Sequence, residues 1–223
     1  MTYVVVHGAW GGSWDWRTVD SLLTNAGHNV YRVQLTGLGE RVHLASPDIG
    51  LNTHIDDVVN TIVWERLTNV VLIGHSYGGM VITGVADRIP ERLRKLVYVD
   101  AMLPVSGESL LSLLTESGRA RISSMVRNGF LYPGWVADTA TPPKDVPQSF
   151  KTFTDTLRLT NSGKAVAGSY ILTVDPGATA PDDFQMHADR AKKRGWPVIR
   201  MEADHIPERS APGRFVELLL SLR

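Results

Sequence analysis

The sequence has no cysteine among its 223 residues. This absence excludes disulfide bonds, cysteine-bound zinc, iron–sulfur clusters and a cysteine nucleophile. Neither sign of charge is in excess, because 23 Lys and Arg balance 23 Asp and Glu. A balanced chain has no basic surplus for phosphates or anionic lipid, so we expect neither a nucleic-acid nor a membrane partner. Because no apolar run reaches about 20 residues and no leader precedes the first strand, we expect a cytoplasmic protein.

Apolar segments alternate between the patterns of buried strands and amphipathic helices. Six strands are predicted, at 3–6, 29–35, 70–73, 96–99, 170–174 and 197–201. Helical spacing predicts helices that include 54–67, 78–88, 182–194 and 214–222. This alternation predicts an α/β fold with a mostly parallel sheet of about six strands and helices on both faces. We expect a single domain over 1–223 with a lid insertion at 104–168, which is too long for a simple connection.

The strongest chemical motif is GHSYGG at 74–79, which contains the pattern G-x-S-x-G. A buried strand leads into Gly74 and a helical pattern begins at Gly78, the setting of a nucleophile elbow. Side chains two residues either side of the serine would collide in so tight a turn, and glycine removes them. The motif therefore predicts Ser76 as a nucleophile at the carboxyl edge of the sheet.

A serine nucleophile needs a base, and the base needs an orienting acid. His205 follows the sixth strand by a short loop and is the best-placed of the seven histidines. Asp175 ends the fifth strand, and the order serine, acid, histidine is that of α/β-hydrolases, so we predict Asp175 as the acid. Asp100, which ends the fourth strand, and Asp204, beside the histidine, remain rivals. Because no histidine spacing suits a metal, we expect no metal site.

The negative oxygen of an acyl-transfer intermediate needs two N–H donors. The amide of Tyr77 follows the nucleophile, and the glycine-rich loop HGAWGG at 7–12 can present the amide of Ala9. No dinucleotide fingerprint or phosphate-binding loop is present, because the glycines of GLGERV at 37–42 neither complete the pattern nor open a helix. We therefore expect an oxyanion hole from Ala9 and Tyr77, and no cofactor.

Several segments resemble one known family. They are VVVHGAWGGSWDW, LTGLGERVHL, GLNTHIDDVV, VVLIGHSYGGMVITGVADRIPERLRKLVYVDAMLP and EADHIPERSAP. Together they resemble the α/β-hydrolases of the plant methylesterase and hydroxynitrile lyase group, in its bacterial esterase-like members. The resemblance implies an α/β-hydrolase fold and a cofactor-free serine esterase with the triad Ser76, Asp175 and His205. It also implies the amide donors Ala9 and Tyr77.

Two positions differ from the hydroxynitrile lyases of that group. Ile206 follows the histidine where those lyases carry a lysine, and Ala9 stands where they carry a threonine. Both differences favour hydrolysis of carboxylic esters, including lactones, which are internal esters. A lyase or another non-hydrolytic reaction on the same triad, and a small-ligand receptor without turnover, remain alternatives.

Aromatic and large apolar residues are frequent in the predicted lid, which indicates a small apolar or aromatic substrate. The lid residues of this kind are Met125, Phe130, Leu131, Tyr132, Trp135, Phe150 and Phe153. We predict substrate contacts from Trp10, Tyr132, Trp135 and Ile206. The expected partner is a small-molecule ester, and a homodimer is compatible with the sequence.

Overall fold

A parallel sheet forms the centre of this computed structural model, which describes residues 1–160, 165–175, 177 and 183–222. The strands within these residues are β1 (Thr2–Val6), β2 (Asn29–Val33), β3 (Val70–His75), β4 (Leu93–Val99), β5 (Val126–Arg127), β6 (Phe130–Leu131), β7 (Gln148–Ser149), β8 (Gly168–Val174) and β9 (Val198–Glu202). Six of them pair in the order β2-β1-β3-β4-β8-β9, all in parallel. The carboxyl ends of β3, β4 and β8 therefore meet at one edge of the sheet.

Helices cover both faces of this sheet. Those in the described residues are α1 (Arg17–Asn25), α2 (Leu51–Trp64), α3 (Gly78–Arg88), α4 (Leu110–Leu113), α5 (Glu116–Ser124), α6 (Lys151–Thr154), α7 (Gln185–Lys193), α8 (Pro207–Ser210) and α9 (Pro212–Ser221). None of them is both long enough and apolar enough to pass through a bilayer. The cytoplasmic location expected from the sequence stays a prediction.

Two buried clusters hold the layers together, one on each face of the sheet. Successive strand residues point to opposite faces, so Val4 packs with α2 and α3, whereas Tyr3 packs with α1 and α9. Both residues are almost completely buried. Burial on both faces explains why these strands are continuous apolar runs in the sequence.

The predicted fold class is confirmed, with differences at the ends of elements. β3 continues to His75 and β4 begins at Leu93, both beyond the predicted limits, because pairing with neighbouring strands continues there. The helix predicted over 182–194 is observed as α7 from Gln185, and residue 182 lies outside the described residues.

The predicted insertion at 104–168 falls between β4 and β8. It contains α4, α5, α6 and a small antiparallel sheet in the order β5-β6-β7. Residues 161–164 of this segment lie outside the described residues. Its buried residues Leu110, Ile122 and Phe153 belong to the same core cluster as α2 and α3. The segment thus packs on one face of the sheet, and its function as a lid stays a prediction.

Gly79 provides a test of the close packing at the start of α3. A Cβ atom there would lie 2.1 Å from the Met102 carbonyl oxygen, whereas a Cβ on Gly213 in α9 would meet nothing within 4 Å. We expect Gly79→Ala to lower the free energy of unfolding by about 1–3 kcal/mol or more, because backbone must move to admit the methyl group. Gly213→Ala should raise it by about 0.5–1 kcal/mol. Urea unfolding of both variants measures the difference, and equal stabilities would contradict the packing described here.

Candidate active site

Ser76 lies in the turn between β3 and α3 with a φ of +52°, in the left-handed region. A residue with a side chain is strained there and needs support from the surrounding backbone. The Ser76 amide donates to the Val99 carbonyl at 3.1 Å, and the Ser76 carbonyl accepts from the amides of Gly79 and Met102, each at 3.1 Å. These three hydrogen bonds hold the serine at the end of β3.

The glycines on either side leave no room for a side chain. A Cβ on Gly74 would lie 2.7 Å from the Gly78 carbonyl oxygen, and one on Gly78 would lie 2.7 Å from the Val6 carbonyl oxygen. The collision predicted from the motif therefore involves backbone atoms, which cannot rotate away. Only glycine at both positions permits this tight turn.

His205 connects the serine to a buried carboxylate. Its Nε2 is 3.0 Å from Ser76 Oγ, and its Nδ1 is 2.6 Å from Asp100 Oδ2. The second carboxylate oxygen, Oδ1, accepts the amide of Thr173 at 3.2 Å. The Asp100 side chain is 3% exposed and that of His205 is 41% exposed. The imidazole can thus exchange a proton with Ser76 on one side while Asp100 holds it from the other.

The prediction that Asp175 orients His205 is wrong. Asp175 is exposed and lines the nearby cavity, whereas Asp100 makes the contact with the imidazole. The rival Asp204 accepts the Ile206 amide at 2.9 Å and the Ser210 hydroxyl at 2.7 Å, so it shapes the histidine loop instead. The order serine, acid, histidine fits both Asp100 and Asp175, so it did not discriminate between them. Position at a strand end did not discriminate either, because Asp100 follows β4 and Asp175 follows β8.

Two backbone amides near the nucleophile have no hydrogen-bond acceptor in the described part of the chain. The amides of Ala9 and Tyr77 donate to no described residue, and both residues line the same cavity as Ser76. A Cβ on Gly8 would lie 3.2 Å from the Ser76 Cβ, so the first loop packs directly against the serine. The side chain of Tyr77 is anchored elsewhere, 2.8 Å from Nδ1 of His54. Both predicted amide donors therefore lie beside the nucleophile.

A family model shows to which known family the chain belongs. The model of the Alpha/beta hydrolase family matches residues 3–218. The chain belongs to the alpha/beta hydrolase family. The resemblance predicted from the sequence motifs is thereby confirmed.

Individual relatives of this hydrolase include esterases. It is 36% identical over 240 residues to the carbendazim hydrolyzing esterase of Nocardioides sp. (strain SG-4G), covering 99% of this chain and 98% of that protein. It is 31% identical over 104 residues to Methylesterase 2 of Arabidopsis thaliana, covering 46% of this chain and 40% of that protein. An extracellular alpha/beta-hydrolase from a Paenibacillus species superposes with a TM-score of 0.85 at 23% identity, covering 99% and 98% of the two chains. That structure supports the fold alone.

A cavity of about 690 Å³ opens beside Ser76 in this hydrolase. Its described apolar lining includes Trp10, Met102, Leu110, Leu113, Leu114, Ile122 and Phe153. Its described polar and charged lining includes Thr115, Arg121, Asp175, Asp183, Gln185, His187 and Arg200. In the described part of the chain, no group of three or more His, Asp or Glu side chains is placed to hold a metal ion.

The structure places one of the four predicted substrate contacts in the cavity lining. Trp10 lines the cavity, but Tyr132, Trp135 and Ile206 are not among its described lining residues. Trp135 is 58% exposed, packs edge-on against Trp10 and donates to Asp145 at 2.8 Å. Tyr132 lies under the guanidinium of Arg127. Both rings contact protein side chains in this structure, and their role as substrate contacts stays a prediction.

The insertion holds the loop that carries Ala9. Trp10 has a φ of +61°, and the Gly11 amide donates to the Ala9 carbonyl at 2.7 Å across it, which forms a strained three-residue turn. The Trp10 amide donates to Gln148 Oε1 at 2.8 Å, and the Trp10 carbonyl accepts the Val146 amide at 2.9 Å. The geometry of the Ala9 amide therefore depends on residues more than 130 positions away in the chain.

A second buried acid lies behind His205. Nε2 of His75 is 2.7 Å from the His205 carbonyl oxygen, so it donates its proton there. Nδ1 of His75 must then accept, and it lies 3.1 Å from Oε1 of Glu208, whose side chain is 1% exposed. Desolvation raises the pKa of Glu208 well above its usual value and lowers that of His75. These directions favour a protonated Glu208 facing a neutral His75, and the pair supports the backbone of His205. The sequence reasoning missed this pair.

Glu208→Gln tests this protonation state. The folded protein keeps a proton on Glu208 that the unfolded chain loses above about pH 4.5, so the free energy of unfolding falls as pH rises from there. Glutamine has no proton to lose, so the Tm of the variant should exceed that of the wild type by an amount that grows from pH 5 to pH 8. One kcal/mol corresponds to about 2–4 °C in a domain of this size, and we expect a shift of that order.

The control for this experiment is Glu217→Gln, because Glu217 is exposed on α9. Its Tm should follow that of the wild type at every pH. A Glu208→Gln protein that is less stable than the wild type at pH 8 would show that Glu208 is ionised in the folded state.

Proposed function

We propose that this chain is a serine esterase that cleaves carboxylic esters of small apolar or aromatic substrates, including lactones, through an acyl-enzyme. The observation that carries the proposal is the relay in which His205 lies 3.0 Å from Ser76 Oγ and 2.6 Å from Asp100. The esterases among the relatives support the same reaction class. Each step uses side chains and amides of this chain and requires no cofactor.

Ser76 acts as the nucleophile in the first half of the reaction. Nε2 of His205 takes the hydroxyl proton as Oγ bonds to the ester carbonyl carbon, and Nδ1–H stays hydrogen-bonded to Asp100. The carbonyl oxygen becomes an oxyanion, which accepts the amides of Ala9 and Tyr77. His205 then protonates the departing alcohol as its bond to carbon breaks, which leaves an acyl group on Ser76.

Water completes the cycle with the same base. His205 takes a proton from a water molecule as its oxygen bonds to the acyl carbon, and the two amides again bind the oxyanion. The bond from carbon to Ser76 Oγ breaks, and the serine recovers its proton from His205. The products are a carboxylic acid and an alcohol.

The residues that follow His205 in the sequence favour this reaction over a lyase reaction. A lyase must stabilise a small leaving anion near the base, which calls for a nearby cation. Ile206 follows the histidine, and Arg209, the nearest basic residue in sequence, is already paired with Asp15 and lies over the Trp14 ring. The esterase needs only backbone amides for its oxyanion.

Ser76→Ala tests the reaction class. The wild type should hydrolyse phenyl acetate, and the variant should lose activity by about 10⁴-fold or more, because the oxyanion hole alone gives weak catalysis. Ser169→Ala serves as the control, since Ser169 is buried in β8 and is not among the described lining residues of the cavity.

Mass spectrometry after rapid quenching should detect an acetyl group on Ser76 in the wild type. Mandelonitrile should release cyanide no faster than in buffer. If cyanide is released and phenyl acetate is not hydrolysed, the chain is a lyase. If neither compound is turned over, the small-ligand receptor is favoured.

A pair of matched substitutions tests the acid. Asp100→Asn should lower kcat by about 10²–10⁴-fold, because the amide favours the wrong tautomer of His205. Asp175→Asn, at an exposed position, should leave kcat within about twofold. Steady-state kinetics on phenyl acetate measures both, and the opposite ranking would move the acid back to the end of β8.

A further inference from the structure

His187 is a buried histidine that the esterase mechanism does not use. It lies on α7, is 1% exposed and lines the cavity beside Ser76. Its Nδ1 accepts the backbone amide of Leu103 at 3.1 Å. Nδ1 is thus hydrogen-bonded within the protein, and the role of the other ring nitrogen, Nε2, is still to be explained.

The hydrogen bond from Leu103 fixes the tautomer of this ring. Because Nδ1 accepts a proton, the ring carries its own N–H on Nε2. Desolvation, together with the nearby Arg190, lowers the pKa of His187 to about 4, so the ring is neutral near pH 7. Within the described residues, no group accepts the Nε2–H. The ring therefore offers one unused, neutral hydrogen-bond donor.

One aromatic ring, that of Phe184, separates the ring of His187 from the imidazole of His205. Phe184 stacks on His205 with ring centroids 4.8 Å apart and an interplanar angle of 16°. The same Phe184 ring lies 6.1 Å from the ring of His187, centroid to centroid. A small substrate with its ester at Ser76 can therefore extend towards His187 within the cavity.

We propose that Nε2–H of His187 binds the substrate, donating a hydrogen bond to a neutral acceptor that is separate from the scissile ester. This inference rests on the proposed function, because it takes the ester of that reaction as its ligand. The acceptor is a ring nitrogen, an ether oxygen or a second carbonyl oxygen. The subsite makes the enzyme selective for aromatic esters that carry such an atom.

A neutral acceptor suits this position better than a carboxylate. The imidazole is uncharged and buried, and an unpaired charge beside it would lose its hydration without compensation. The arginines that line the cavity, Arg121 and Arg200, are exposed to solvent. The apolar walls, which include Leu110, Ile122 and Phe153, suit an aromatic ring better than an ionised group.

His187 also has a structural role that the test must separate from binding. With Arg190, which donates to the Leu103 carbonyl at 3.1 Å, it fixes the segment after β4. His187→Asn keeps an acceptor near the position of Nδ1 and removes the distal donor. His187→Gln places an N–H near the position of Nε2 and weakens the proximal acceptor. A structural role alone makes Gln the more damaging change, whereas a binding role makes Asn the more damaging one.

The experiment measures ester binding in the Ser76→Ala background, where no chemistry occurs. The ligands are methyl benzoate and three isomeric analogues in which nitrogen replaces one ring CH: methyl picolinate, methyl nicotinate and methyl isonicotinate. Calorimetry should find that the best isomer binds about threefold to tenfold more tightly than methyl benzoate, as one hydrogen bond provides. His187→Asn should reduce this ratio to about one, and His187→Gln should retain most of it.

Imidazole ¹⁵N spectra of the Ser76→Ala protein provide a measurement without a His187 substitution. The Nε2 resonance of His187 should shift when the best isomer binds and stay in place with methyl benzoate. An unmoved resonance, or an unchanged ratio in His187→Asn, overturns the inference.

Turnover by the wild type separates this result from the proposed function. If methyl benzoate is hydrolysed while the binding ratio does not depend on His187, the esterase proposal stands and the subsite is rejected. If the ratio depends on His187 while no ester is cleaved, the cavity binds such compounds and the esterase proposal fails.

Discussion

The left-handed conformation of Ser76 is the constraint on which the rest of the site depends. It is held because the Ser76 amide donates to the carbonyl of Val99, the last residue of β4. That hydrogen bond joins the ends of two neighbouring strands, and Asp100 is the next residue after Val99. Asp100 itself has a φ of +43°, so the turn that aims the carboxylate is strained as well. The nucleophile and its distant acid are thus positioned by one backbone contact, and a change that relaxes one turn disturbs the other.

Trp10 is a third residue with a strained backbone. Through it, the geometry of the site depends on the insertion as well. The turn at Trp10 presents the Ala9 amide to the site, and contacts with Val146 and Gln148 hold it in place. Strained backbone conformations persist only where several surrounding contacts hold them in place. In this molecule the surrounding structure is the insertion, whose buried residues also line the cavity. In the proposed reaction, substrate shape and oxyanion binding are therefore coupled through the insertion, because a movement that reshapes the apolar wall also moves the Ala9 amide.

Much of this architecture was predictable from the sequence, for identifiable reasons. Strands buried on both faces leave continuous apolar runs, and the elbow needs glycines at 74 and 78, so the sheet, Ser76 and His205 could be predicted. The choice between Asp100 and Asp175 was not predictable, because both end strands at the same edge and chain order fits both. Only the course of the His205 loop in the folded protein decides which carboxylate the imidazole contacts. Glu208 and His187 escaped notice because the chemistry of a buried polar residue depends on what packs against it.

Neutrality of the groups around the relay has a chemical consequence. Burial lowers the pKa of His7 and of His54 to about 4, and it also holds Glu208 protonated opposite His75. Near pH 7 these buried groups surround the site with oriented dipoles and add no net charge. In the proposed reaction, the charge that develops on the substrate oxygen therefore meets the fixed N–H groups of Ala9 and Tyr77 beside these neutral buried groups. Such donors stabilise an oxyanion more strongly there than in water, because they need not reorient during the reaction.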